Sequence, residues 1–179
     1  MLCAGFSATA ATLEGATFDD TVRVGGSQLR LNGLGLRAVS IIKGYVAGLY
    51  LTRKAGTAEE AMAAPGPKRV ELRLLMDAPP QVFNKALISG LRKNLSDAEV
   101  AALQERIDQF EAMIDAASPF RHGDVIDLDF VPAKGMTLSL NGKAQPGAVA
   151  GADFYNAVLG IFVGERQRDA ELRNGLLGR

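Results

Sequence analysis

The chain has 179 residues, 47% of them hydrophobic and 6% aromatic, and its 20 basic and 20 acidic side chains give no net charge. This length and apolar content predict a single domain with a substantial core, while zero net charge and the lack of tryptophan argue against a nucleic-acid partner. One cysteine, Cys3, and one histidine, His122, leave no intramolecular disulfide and little material for a metal site or a Ser-His-Asp triad, so we expect neither a metal nor another cofactor.

The first eleven residues, MLCAGFSATAA, are small, weakly apolar and uncharged. Ala8-Thr9-Ala10 is an A-x-A pattern of the kind at which signal peptides are cleaved, although the basic start of such a signal is missing. We interpret residues 1–11 as the remnant of a signal peptide, or alternatively as a disordered N-terminus, and residues 12–179 as one domain. The first interpretation predicts a periplasmic or secreted protein and the second a cytoplasmic one. No later stretch is long and apolar enough to span a bilayer.

The pattern of the next forty residues predicts strands. Short strands are predicted at residues 13–18, 21–24 and 28–31, separated by Asp-Asp and Gly-Gly turns, and longer ones at residues 36–42 and 45–52. The Glu and Arg residues that alternate with Val70, Leu72 and Leu74 predict a later strand with one solvated face.

A further turn is predicted where Asn32-Gly33 and Gly35 interrupt the strand pattern, because glycine tolerates backbone conformations with positive φ. Two strands leaving this turn would bring Arg37 and Tyr45 close together. Arg37 is a permanent cation with a planar fork of donors, and Tyr45 is a neutral phenol donor. Such a pair would suit a carboxylate or a similar oxyanion.

The middle of the chain changes to helical periodicity before strands return. Helices are predicted at residues 57–64, 80–94, 96–114, 153–162 and 169–177, and further strands at residues 126–130 and 136–140. Asp127 and Asp129 alternate with apolar residues, so we assign them to a solvated strand face rather than to a metal site. This order of elements predicts an α+β fold in which an antiparallel sheet has helices on one face.

Three segments carry a resemblance to a known family. They are LNGLGLRAVSIIKGYVAGLYL, with G-x-G-x-R and K-x-Y-x-x-x-L-Y-L motifs, RVELRLLMDAPPQVFNKALISGL, and FYNAVLGIFVGERQRDAELRNGLLG. In order and spacing they resemble the chalcone isomerase-like family, specifically its bacterial, non-catalytic branch, from about residue 13 to the end of the chain. The resemblance implies an open-faced β-sandwich, in which a large antiparallel sheet is covered by a layer of helices with a ligand cleft between them.

The resemblance also suggests which residues line that cleft. True chalcone isomerases hold a developing oxyanion with an arginine, helped by a threonine on the next strand, a tyrosine and an asparagine on a helix, and a C-terminal hydroxyl residue. Arg37 falls on the arginine position and Tyr45 on that of the threonine. The helical positions fall on Phe83 and Gly90, and the C-terminal position on Ile161. Four of the five positions depart from the catalytic set, so the resemblance implies that this chain has no catalytic residues for that cyclisation.

Fatty-acid-binding members of the family carry an arginine and a tyrosine in these places, where they hold the carboxylate of an acyl chain. The resemblance therefore implies a non-enzymatic binding protein for an apolar ligand with a carboxylate, such as a fatty acid, with Phe83, Gly90 and Ile161 as apolar wall. A buried Arg37 would also need that carboxylate or an internal partner. Two alternatives stay open: an isomerase or lyase acting on an unidentified enone-like substrate with Arg37 as oxyanion stabiliser, and a structural or interaction protein without a ligand.

Overall fold

A computed structural model describes residues 10–166 and 169–179 of the chain. The strands of this described part are β1 (Ala10–Leu13), β2 (Ala16–Asp19), β3 (Thr21–Val24), β4 (Ser27–Val39), β5 (Ile42–Leu51), β6 (Lys68–Leu74), β7 (Val125–Val131), β8 (Gly135–Leu140) and β9 (Lys143–Ala144). Its helices are α1 (Ala58–Ala63), α2 (Pro80–Asn94), α3 (Asp97–Ala117), α4 (Ala152–Val163) and α5 (Ala170–Leu176). Each predicted helix is present, within a few residues of its predicted ends.

Seven of the nine described strands form one antiparallel sheet, in which each strand lies beside its neighbours in sequence, from β3 at one edge to β9 at the other. Alternate side chains of β5, β6 and β7, such as Leu49, Leu72 and Leu128, enter a buried core with Leu91 of α2 and Phe110 of α3. Helices therefore cover one face of a large antiparallel sheet, and the predicted α+β class is confirmed.

The opposite face of the sheet is partly covered by the hairpin of β1 and β2. Phe18 of β2 packs with Val46 and Tyr50, whose side chains point away from the helices. Gly48 lies directly beneath this ring, since a Cβ there would be 2.8 Å from a ring carbon of Phe18. Tyr50 is fully buried and donates a hydrogen bond to the backbone carbonyl of Asp19 (2.9 Å).

Two strand predictions near the N-terminus are corrected by the structure. The single strand predicted for residues 13–18 is two strands joined by a turn at Glu14 and Gly15, both with positive φ. The predicted turn around Gly33 and Gly35 is wrong, because both residues lie inside the continuous strand β4. The chain reverses instead after β4, where Ser40 has a φ of 56°.

The glycines of β4 allow a close approach by a helix rather than a reversal of the chain. A Cβ on Gly33 would lie 2.1 Å from the carbonyl oxygen of Gly175 in α5. A Cβ on Gly35 would lie 2.3 Å from that of Leu172. Asn32 fixes the same contact, since its side-chain amide donates to the carbonyl of Leu176 (2.7 Å). This packing places the N-terminus of α5 beside the second half of β4.

The charged face of β6 and β7 also differs from the prediction. Asp127 and Asp129 are not separate solvated charges, because the register places Arg69 opposite Asp129 and Glu71 opposite Asp127. Arg69 makes two hydrogen bonds to Asp129 (2.6 and 2.7 Å), and Arg73 pairs with Glu71 (2.8 Å). Asp127 is only 7% exposed. Among the described residues, no group of three or more His, Cys, Asp and Glu side chains could hold a metal ion.

The predicted signal-peptide remnant falls almost entirely outside the described residues. Of residues 1–11, only Ala10 and Ala11 are described, and they begin β1. Export and the boundary at residue 12 therefore stay predictions. No helix in the described part of the chain is long and apolar enough to cross a membrane.

Candidate ligand-binding site

Arg37 and Tyr45 are direct cross-strand partners in the pairing of β4 with β5. Residues that oppose each other in an antiparallel pair project to the same face of the sheet, so both side chains point towards the helices. Tyr45 makes an edge-to-face contact with Phe162 of α4, with ring centroids 6.5 Å apart. The pair expected from the sequence is thus brought together by strand register, although not by the turn that the sequence pattern predicted.

A cavity of about 130 Å³ lies between the sheet and helices α2 and α4. All five residues singled out in the sequence border it: Arg37, Tyr45, Phe83, Gly90 and Ile161. The rest of its lining is Leu72, Ala86, Leu87, Phe110, Leu128 and Phe162, with Lys93, Asn94 and Arg166 as further polar residues. The cavity is therefore apolar over most of its wall, with three cations among its polar lining residues.

The helical wall of the cavity depends on an interlocking pair of residues. A Cβ on Gly90 of α2 would lie 2.7 Å from Cγ2 of Ile161 in α4. The missing side chain at Gly90 therefore makes room for Ile161 and lets the two helices approach closely. Asn94, one turn further along α2, donates a hydrogen bond to the carbonyl of Gly90 (2.9 Å). Gly90 and Ile161 therefore pack as one unit in the wall of the cavity.

Arg37 has an internal partner. Its Nη1 donates to Oδ2 of Asp169 at 3.1 Å, and the two side chains are 37% and 11% exposed. The other carboxylate oxygen of Asp169 accepts a hydrogen bond from the backbone N–H of Leu172 (3.0 Å), which caps the N-terminus of α5. Since the guanidinium also carries N–H donors at Nε and Nη2, it has the chemical capacity for a second anion.

Asp169 is the member of the site that sequence reasoning missed. Its position before a short helical pattern identifies it as the start of a helix, but nothing local links it to Arg37, which is 132 positions away in the sequence. The only available signal was the general requirement that a buried arginine have an anionic partner. The close packing of α5 on β4 brings Asp169 next to Arg37.

Burial holds the pKa of Tyr45 well above its usual range, and the positive charge of Arg37 offsets only part of this effect. The phenol is therefore neutral at physiological pH. It can donate a hydrogen bond to an oxyanion but is a poor base. At the other three predicted positions, Phe83, Gly90 and Ile161 provide no side-chain hydrogen-bond donor.

The mouth of the cavity is lined by cations and a small apolar residue. Ala86 and Lys93 of α2 and Arg166 beyond α4 border the cavity and are exposed. Arg166 donates to the backbone carbonyl of Lys93 (3.3 Å), which ties the segment after α4 to the end of α2. The positive charges of Lys93 and Arg166 would attract an anion to the cavity.

Comparisons with known proteins agree with this architecture. Residues 10–178 match the family model described as chalcone isomerase-like. Among solved structures, a crystal structure of a fatty-acid binding protein from Arabidopsis thaliana superposes with a TM-score of 0.73 at 17% sequence identity, covering 94% of this chain and 96% of that one. At this identity the likeness shows the shared fold. No curated protein matches the sequence.

Proposed function

The chain belongs to the chalcone isomerase-like family, and we propose that it is a non-enzymatic binding protein for an apolar ligand with a carboxylate, such as a fatty acid. The observation that carries this proposal is the pairing of Arg37 with Tyr45 in the wall of a mostly apolar cavity. Arginine and a neutral phenol together offer several hydrogen-bond donors to one oxyanion. The fold shared with a fatty-acid binding protein supports the same ligand class.

The volume of the cavity limits the size of the ligand that it can hold. Sites for drug-sized ligands have volumes of roughly 300 to 1,000 Å³, and about 150 Å³ is enough for one benzene ring. The volume here, about 130 Å³, fits a carboxylate with a short apolar chain. A long acyl chain would need α2 and α4 to separate at Gly90 and Ile161, or would leave through the mouth near Arg166.

Asp169 limits the affinity that a carboxylate ligand can reach. A bound carboxylate would share Arg37 with an existing carboxylate, and the two like charges would repel each other. We therefore expect modest affinity for short carboxylates, with the apolar chain contributing a large part of the binding free energy.

The enzymatic alternative is less well supported. Oxyanion stabilisation by Arg37 would be weakened by the adjacent negative charge of Asp169. Phe83, Gly90 and Ile161 replace the hydroxyl and amide donors that the resemblance associates with chalcone cyclisation.

Native mass spectrometry of the protein purified from its own host, followed by identification of the extracted molecules, tests the proposal. We expect an apolar carboxylate that travels with the wild-type protein and is lost in Arg37→Ala. Lys43→Ala is the matched control, because Lys43 is a cation of the same hairpin that pairs with Glu14. A wild-type protein that is empty and also ignores added carboxylates would rule the proposal out, and turnover of an added enone would favour the enzymatic alternative.

A further inference from the structure

A second depression in the helical layer lies next to the cavity. It is an open groove of about 850 Å³ between α1, α3 and α4, and its surface is more apolar than polar. Met62 of α1, Leu103 of α3 and Gly160 of α4 contribute to the apolar part. Among the charged residues at its border, Arg106 and Asp153 pair with each other through two hydrogen bonds (2.7 and 2.8 Å). The groove therefore has room for part of an apolar chain and apolar side chains to contact it.

Two residues border both the groove and the cavity. Asn94 is the last residue of α2 and Arg166 follows the end of α4, and each of them lines both spaces. Asn94 is half-buried, whereas Arg166 is exposed and donates to the backbone carbonyl of Lys93 (3.3 Å). The cavity and the groove therefore adjoin each other at these two residues.

The side chain of Asn94 fills the space between α2 and the end of α4. Its Nδ2 donates to the carbonyl of Gly90, a residue in the wall of the cavity (2.9 Å). Its Oδ1 lies so close to Gly164 that a Cβ on that glycine would be only 2.5 Å away. A Cβ on Gly160 would be 3.9 Å from the Cβ of Asn94. Since both of these glycines line the groove, the side chain extends from the wall of the cavity to that of the groove.

We propose that Asn94 determines the length of the carboxylate that the protein binds, because its side chain separates the cavity from the groove. This inference rests on the proposed function. In the wild-type protein the chain of the ligand is confined to about 130 Å³. Without the Asn94 side chain it continues into the groove, where further methylene groups are removed from water. Arg166 does not close this passage, because an exposed side chain turns readily towards the solvent, whereas Asn94 is held between two helices.

Calorimetric titration with hexanoate and decanoate tests this role of Asn94. We expect the preference of Asn94→Ala for decanoate over hexanoate to exceed that of the wild type about tenfold, as burial of about two further methylene groups would produce. Asn94→Leu should keep the wild-type preference, because leucine has the same branched shape and fills at least the same space. Asn84→Ala is the matched control, since it removes the same side chain from α2 at a position that borders neither space and bonds to Asp115 of α3 (2.8 Å).

The results separate failure of this inference from failure of the proposed function. If Asn94→Ala binds hexanoate with the chain-length preference of the wild type, the role of Asn94 is overturned and the proposed function stands. An equal gain for decanoate in Asn94→Leu would also overturn that role, because the separation would then not depend on the volume of the side chain. Wild-type protein that binds neither carboxylate would overturn the proposed function and this inference together.

Nuclear magnetic resonance locates the chain directly. A Cβ on Gly160 would be 3.5 Å from the methyl carbon of Met62 and 3.9 Å from the Cβ of Asn94, so Met62 lies close to the proposed passage. In Asn94→Ala, the terminal methyl of bound decanoate should give a nuclear Overhauser effect to the methyl group of Met62. Contacts of that terminal methyl with Ile161 alone would show that the chain stays in the cavity, and would overturn the inference.

Discussion

Arg37 illustrates how one residue can be correctly identified from sequence and still be incompletely understood. Its proximity to Tyr45 was predicted from the sequence, but the register of the β4–β5 hairpin, and not the predicted turn, places the two residues opposite each other. Its partner Asp169 comes from a helix near the other end of the chain and could not be inferred from spacing. The proposed function depends on both facts, since in it Asp169 would orient Arg37 and compete with the ligand for the guanidinium.

Replacement of Asp169 by asparagine separates these two effects. Asparagine caps helices about as well as aspartate, so the hydrogen bond from Leu172 and the fold should survive. Removal of the negative charge should tighten binding of a short carboxylate roughly three- to tenfold, which corresponds to about 1 kcal/mol. Isothermal titration calorimetry on both proteins measures this difference. Weaker binding by the variant would mean that Asp169 helps to hold the ligand rather than competing with it.

Asp127 gives the molecule a pH-dependent stability. Burial raises the pKa of this carboxyl to about 6, although the charge of Arg69 partly opposes the shift. The folded state therefore holds the proton more tightly than the unfolded state, and the free energy of unfolding should fall as pH rises from about 4 to about 6.

Asp127→Asn should remove the part of this dependence that is due to Asp127 and stabilise the protein at pH 7 by on the order of 2 kcal/mol, with little effect near pH 4. Burial also raises the pKa of the neighbouring Glu71 carboxyl, so a weaker dependence of the same sign should remain. Urea unfolding of both proteins at several pH values provides the measurement. Equal stability of the two proteins at neutral pH would show that ionised Asp127 is compensated by Arg69.

At the scale of secondary-structure elements, the sequence predicted the helices correctly, because hydrophobic periodicity and capping residues determine where a helix forms and begins. Helix α3 begins after a capping box in which Ser96 Oγ accepts from the N–H of Glu99 (3.3 Å), as the sequence indicates. The interpretation of Gly33 and Gly35 as a turn failed for a different reason. Glycine permits either positive φ or the close approach of another backbone, and only the tertiary position of α5 decides between them.

Gly35→Ala tests this explanation. The new Cβ would lie 2.3 Å from the carbonyl oxygen of Leu172, and backbone on both sides leaves little room to relax. We expect a loss of about 1 to 3 kcal/mol in the free energy of unfolding. Gly44→Ala is the matched control in the same hairpin, because its Cβ would be 3.5 Å from its nearest neighbour, an ordinary contact. Equal losses in the two variants would contradict the packing argument.

The contact between α2 and α4 provides a test of ligand size. Ile161→Ala should enlarge the cavity opposite Gly90 and shift the preferred carboxylate towards longer chains. Displacement of a fluorescent fatty acid by carboxylates of increasing chain length gives the preference directly. If the wild-type protein already binds long chains as well as the variant does, the helices must separate readily and the packing of Ile161 does not limit the ligand.

At the scale of the whole molecule, a seven-stranded sheet carries the helices on one face and the β1–β2 hairpin on the other. The cavity lies where the helices meet the second half of β4 and the start of β5. The α+β class followed from the order of strand and helix patterns, which are local properties. The packing of α5 on β4 could not be predicted in the same way, because it depends on which surfaces meet after folding.

Calorimetric titration of hexanoate into the wild-type protein, Arg37→Ala, Tyr45→Phe and the control Lys43→Ala tests directly whether Arg37 and Tyr45 hold a carboxylate. We expect saturable binding to the wild type and to Lys43→Ala. Affinity should fall about 10- to 100-fold in Arg37→Ala and severalfold in Tyr45→Phe, in line with charged and neutral hydrogen bonds. Tyr45→Phe removes a single oxygen, so it keeps the test informative even if Arg37→Ala loses stability. Equal affinity in all four proteins, or no binding to the wild type, would contradict the assignment of this cavity as a carboxylate site.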